Sequence, residues 1–169
     1  MGPLQTGSRE TGVFMTSNPA PAGQTVRPLT ADEEAVVRSL PLLIHALPRA
    51  IDAAMSREQH MSATEYLTLM HLSEAPGRRM RMGDLASACE MSLSGATRIV
   101  HRLEREGCIR RVRCDHDGRG YHAALTGSGF ARLEAAWPSN LAAVRRHFLD
   151  HLTEIDLKAL AAALRKVAT

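Results

Sequence analysis

Ser92, Ser94, Thr97, Arg98 and His101 place hydroxyls, a guanidinium and an imidazole at short spacing in the middle of the chain. Such groups hydrogen-bond to base edges and phosphates, and a groove-reading helix needs short polar or basic side chains in its leading turns. Gly95 among them permits close backbone approach, at about 1 kcal/mol of helix propensity relative to alanine. Further on, Arg110, Arg111 and Arg113 precede a turn-like run from Asp115 to Gly120 that carries Arg119 near its tip. On a strand Arg111 and Arg113 share a face, suited to phosphate contacts that position without specifying. A guanidinium on a turn can enter a narrow minor groove, where flanking phosphates concentrate negative potential. Asp117 is acidic and fits an Asx turn, or an ion pair with an arginine such as Arg102. This is the chemistry of recognising a polyanion. Bond-making chemistry lacks its signatures: there is no GxSxG, HExxH, Walker or GxGxxG pattern and no carboxylate pair in an apolar setting. No catalytic residue and no cofactor is expected.

Other groups could serve in sensing. Cys114 follows Arg113, and adjacent positive charge favours thiolate chemistry; an inert structural cysteine is the reading preferred. His101, Cys108, Cys114, His116 and His122 fall within a short span, but their spacing matches no zinc motif, so no metal is expected. A redox- or metal-responsive protein of the same fold, and a module that binds only other proteins, stay as alternatives.

These residues need a scaffold, and composition constrains it. The chain has 169 residues, 44% apolar and 23% charged, enough for one domain with a real core. Aromatics are only 4%, so the core must be aliphatic, which favours helix-on-helix packing. Three cysteines without CxxC spacing or a signal peptide argue against a disulfide framework and for a cytoplasmic location. No apolar run approaches the ~18 residues that span a bilayer. Net charge is +3, yet the segment from Arg78 to His122 holds ten arginines against six carboxylates, +4, leaving −1 elsewhere. The basic middle is an electrostatic footprint for DNA.

The pattern along the chain predicts a mainly α fold with a small β-hairpin wing. Residues 1–29 are Gly-, Pro-, Ser- and Thr-rich and read as a disordered leader. Residues 30–60 form a helix with the stripe Val36, Leu40, Leu43, Ile44, Leu47, Ile51 and Met55, which Pro41 and Pro48 should kink or split. Residues 61–125 form the next unit. A capping box at Ser62 and Glu65 opens a helix to about Glu74, Met80 to Met82 suits a strand, and a small helix starts near Gly83. After a turn at Glu90-Met91, Ser92 caps a longer helix that buries Ala96, Ile99, Val100 and Leu103 and ends at Gly107. Ile109–Cys114 and Tyr121–Leu125 pair as the wing. Residues 126–169 hold a helix capped by Thr126, bent at Pro138, and a last helix opened by Thr153 and running to Val167. The terminal helices carry apolar stripes that a homodimer would cover.

The segment Asp117-Gly118-Arg119-Gly120, with Leu125-Thr126-Gly127-Ser128-Gly129, resembles the D-x-R-G…L-T-x-x-G pattern of the MarR family of bacterial regulators. Leu85-Ala86, Ser92 to Arg98, and Arg102 to Gly107 are similar to its helix-turn-helix, and the similarity spans roughly residues 32–168. Glu90 departs from it, occupying a turn position where glycine is commonest. The resemblance implies a winged helix-turn-helix with N- and C-terminal dimerisation helices, and DNA contacts at Ser92, Ser94, Gly95, Thr97, Arg98, His101, Arg113, Asp117, Arg119 and Gly120. It implies a homodimeric repressor on a pseudopalindromic double-stranded operator, released by a small phenolic or lipophilic anion. His45, Arg49, Met70 and His71 lie near where such an effector would bind. The family's peroxide sensors carry their cysteine on the first helix, where this chain has none.

Overall fold

Thr30 opens the first helix, α1 (Ala31–Gln59): its hydroxyl accepts the Glu33 N–H while the Glu33 carboxylate accepts the Thr30 N–H, a complete capping box. The structure is a computed structural model that describes residues 26–113 and 121–167. Neither Pro41 nor Pro48 splits α1; of the kink or split expected, the split does not occur. The carbonyls they deprive of partners belong to Val37 and Ile44, both more than half exposed, where water can satisfy them. Pro138 sits within another unbroken helix for the same reason, opposite the exposed Glu134.

Ser62 and Glu65 close the predicted capping box of α2 (Ala63–Glu74). A 3₁₀ turn over Pro76–Arg78 follows, in which Gly77 and Arg78 both take positive φ, and the Arg78 guanidinium lies 4.0 Å above the Phe130 ring. The turn leads into β1 (Arg79–Arg81), α3 (Met82–Ala88) and α4 (Leu93–Arg105). Between α3 and α4 the chain reverses at Glu90, whose φ of 51° lies in the left-handed region. That is the conformation for which glycine is usual, and a side chain tolerates it at some cost.

Gly107, with φ 73°, ends the helical segment and releases β2 (Ile109–Arg113), which pairs with β3 (Tyr121–Leu125). The hairpin was predicted; its third strand is β1, which pairs antiparallel to β3 in the order β1-β3-β2. Residues 114–120, between β2 and β3 in the chain, lie outside the described residues, and with them the candidate residues Cys114, His116, Asp117, Arg119 and Gly120.

Thr126 then caps α5 (Gly127–His147), accepting the Gly129 N–H at 3.0 Å and donating to the Gly107 carbonyl at 2.7 Å. The last helix is α6 (Leu157–Val167). Its cap is Asp156, whose carboxylate accepts the N–H groups of Lys158 and Ala159, and not Thr153 as expected. In Thr-Glu-Ile-Asp both ends can cap, and the one adjacent to the helix takes the bonds.

One core joins α2, α3, α4, the sheet and the start of α5, with Leu69, Leu72, Leu85, Val100, Leu103 and Ile109 nearly inaccessible. Met55 of α1 and Ala136 of α5 extend it toward the second layer, where α1 and α5 lie against each other and Gln59 donates to the Ser139 hydroxyl at 2.7 Å.

Candidate DNA-reading face

α4 is divided along its length. Ala96, Val100 and Leu103 are buried, while Ser94, Thr97, Arg98 and His101 are exposed at intervals of three and four, forming one stripe. Three of the opening residues have local partners. The Ser92 hydroxyl accepts the Gly95 N–H at 3.1 Å and lies 3.1 Å from the Ser94 hydroxyl, so Ser92 is committed first to the cap. Thr97 donates its hydroxyl proton to the Leu93 carbonyl at 2.8 Å, leaving its lone pairs and methyl facing outward. A Cβ on Gly95 would meet the Ser92 oxygen at 3.3 Å, so glycine here also serves the cap. Arg98 and His101 carry no ion pair among the described residues.

Leu93 went unrecognised among the polar residues. It is the first residue of α4 and 57% exposed, and only its position beside the N-cap could have signalled a role. A leucine there offers apolar contact of the kind a thymine methyl makes.

Two ion pairs link α4 to neighbouring elements. Arg102 Nε stands 2.9 Å from Glu65 Oε1, and its N–H is aimed at Glu106 Oε1 at 3.3 Å; Glu65 thereby receives charge without a hydrogen bond on that oxygen. The other Glu65 oxygen accepts the Ser62 N–H at 2.8 Å, so one buried carboxylate caps α2 and faces α4. Arg111 pairs with Glu104 at 3.2 Å, which ties β2 to α4. Arg113, at the end of β2 opposite Tyr121, is exposed.

The four residues expected near an effector are spread over different surfaces of the described chain. His71 lines a cleft of about 550 Å³ with Arg79, Arg81, Asp84 and His122. Met70, its neighbour on α2, lines a more apolar cleft of about 420 Å³ with Phe130, Leu133 and Trp137. His45 and Arg49 are exposed on α1. Burial pushes the thiols of Cys89 and Cys108 above their usual range, so both are held protonated and poor as nucleophiles. Among the described residues no group of three His, Cys, Asp or Glu is placed to hold a metal ion, and no helix is long and apolar enough to cross a membrane.

A helix-turn-helix with its outward stripe, followed by an antiparallel hairpin, defines a winged helix-turn-helix protein. A model of the MarR family matches residues 61–120. The chain is similar to Sco3205 of Streptomyces coelicolor, a MarR family transcriptional regulator solved in complex with DNA: identity is 36%, 85% of this chain and 90% of that one are covered, and the TM-score is 0.75. AbsC, a MarR family transcriptional regulator of the same organism, is 34% identical over 85% of this chain and 96% of its own, with a TM-score of 0.73. Over 84 residues the chain is also 31% identical to the transcriptional repressor MprA of Escherichia coli (strain K12); the match covers 50% of this chain and 48% of MprA, about half the length of that curated relative. The chain belongs to the MarR family of transcriptional regulators.

Proposed function

We propose that this protein is a cytoplasmic repressor that binds duplex DNA sequence-specifically as a homodimer, acting by occupying a promoter and not by catalysis. The observation that carries the reading is the exposed stripe Ser94, Thr97, Arg98 and His101 on a helix whose opposite side is locked into the core. In the major groove Arg98 and Thr97 would read base edges, His101 would meet a base or phosphate, and Leu93 would contact a thymine methyl. Ser92 and Gly95 would present the helix N-terminus to the backbone, with Arg113 holding a phosphate at the base of the wing. Arg119 would enter the minor groove, on a turn shaped by Asp117 and Gly120. That Sco3205 was solved with DNA and that MprA is a repressor support the reading.

Dimerisation is supported by the apolar faces left open. On α1, Val36, Val37, Leu40, Leu43 and Ile44 are 41–63% exposed, and α6 buries no residue although Leu157, Leu160 and Leu164 lie along one side. Two recognition helices so joined would meet a pseudopalindrome one DNA turn apart. A small phenolic or lipophilic anion is proposed as the releasing effector, in the region of Met70, His71, His45 and Arg49.

A salt-titrated binding assay on fragments of the protein's own promoter region, with unrelated duplex as competitor, tests this. Arg119→Ala is expected to weaken binding to all sequences and reduce the salt slope by about one, whereas Thr97→Ala or Arg98→Ala also relaxes sequence preference. Equal affinity of wild type and Arg119→Ala would remove the wing from the interface. Sequence-blind binding by the wild type would remove the repressor.

A further inference from the structure

The strand register puts Arg79 of β1, Ala124 of β3 and Arg110 of β2 in one row, with Ala124 the Cα partner of both arginines. Directly opposed residues project from the same face of a sheet, so two guanidiniums flank a single methyl, their Cα atoms about 10 Å apart. That face is turned away from α4. The adjacent residue Arg111 reaches α4 through Glu104, and Ala123 and Met80, the neighbours of Ala124 and Arg79, pack into the core. Phosphates docked on α4 therefore do not account for the pair.

Over this row lies a cavity of about 460 Å³, floored by Ala124, Val112, Leu125 and Pro76 and walled by Arg79 and Arg110. The volume is within the range of small-molecule sites, which are apolar with a few convergent polar groups. No carboxylate lines it, and neither arginine has an ion pair among the described residues. Two like charges held beside one small residue repel each other, and an anion between them turns that repulsion into paired, charge-assisted hydrogen bonds.

We propose that this cavity binds a small organic carboxylate: the carboxylate bridges the Arg79 and Arg110 guanidiniums and an apolar body rests on Ala124, Val112 and Pro76. The site is separate from the clefts beside Met70 and His71, although Arg79 also borders the latter. It requires no DNA, so its failure and that of the repressor reading are distinguishable.

The test is a titration of the full chain with 2-naphthoate, followed by amide chemical shifts, with the uncharged 2-naphthamide as control. Saturable shifts at Arg79, Arg110 and Ala124 are expected with the acid and not with the amide. Arg79→Gln and Arg110→Gln should each weaken the acid about tenfold, with thermal melting confirming that the variants fold. Shifts confined to α1, α2 and α5, equal response to the amide, or unchanged affinity in both variants would overturn the proposal.

Discussion

A Cβ added to Gly129 would stand 2.1 Å from the Cys108 carbonyl oxygen, a contact no rotamer relieves because the obstacle is backbone. The close approach lets Thr126 bond the end of α4 to the start of α5 while its N–H reaches the Cys108 carbonyl at 3.0 Å. The L-T-x-x-G pattern in the sequence is thus a backbone joint between the end of α4 and the start of α5. Gly129→Ala is expected to cost about 1–3 kcal/mol and lower the melting temperature by several degrees in a circular-dichroism scan. Gly83→Ala serves as the control, since a Cβ there meets nothing within 4 Å, and should leave the melting temperature unchanged or slightly raised. A glycine in a motif is visible in a sequence; that this one is required by Cys108, and not by φ, is not.

Among elements, the placement of α4 depends on Glu65 and Arg102, which lie on different helices. Arg102 is half exposed, so its charge costs little to hold, while Glu65 is 2% exposed and depends on that charge. Arg102→Met should therefore destabilise the fold by about 1–3 kcal/mol in urea unfolding, by leaving a buried carboxylate oxygen without compensation. Arg105→Met, which removes an exposed arginine one turn on, should change stability by no more than about 0.5 kcal/mol. Equal effects would show that Arg102 does not position α4. The sequence offers Asp117 an Asx turn or an ion pair with an arginine such as Arg102; Asp117 lies outside the described residues, and among those described Arg102 pairs with Glu65 and Glu106. Boundaries set by adjacent residues were readable, as at Ser62, Ser92 and Thr126. Thr30 and Glu33, at the same three-residue spacing as Ser62 and Glu65, form a capping box at the start of α1.

For the whole molecule, α1 and α6 leave apolar side chains exposed on the single chain, the faces through which the proposed homodimer would form. Leu164→Asp on α6 is expected to leave the winged-helix core intact, since Leu164 is 51% exposed and not among the core residues, yet to shift the protein toward monomer. Sedimentation velocity reads the outcome: a monomer with native far-UV dichroism supports dimerisation through this face, and an unchanged dimer places the interface elsewhere.

The sequence by itself determined what depends on neighbours along the chain: the α-rich class, the capped helices, the tight turn before α4, the hairpin and the polar stripe on α4. Helical period, caps and turns are local, and each rests on hydrogen bonds between residues a few positions apart. Only the tertiary structure decided what depends on residues remote in sequence. It paired β1 with β3, gave Arg111 to Glu104 and Arg102 to Glu65, sent Met70 and His71 into different clefts, and placed Arg79 and Arg110 on either side of Ala124. Those pairings follow from packing and strand register, where one residue of slip moves every side chain to the other face, and no local pattern encodes that choice.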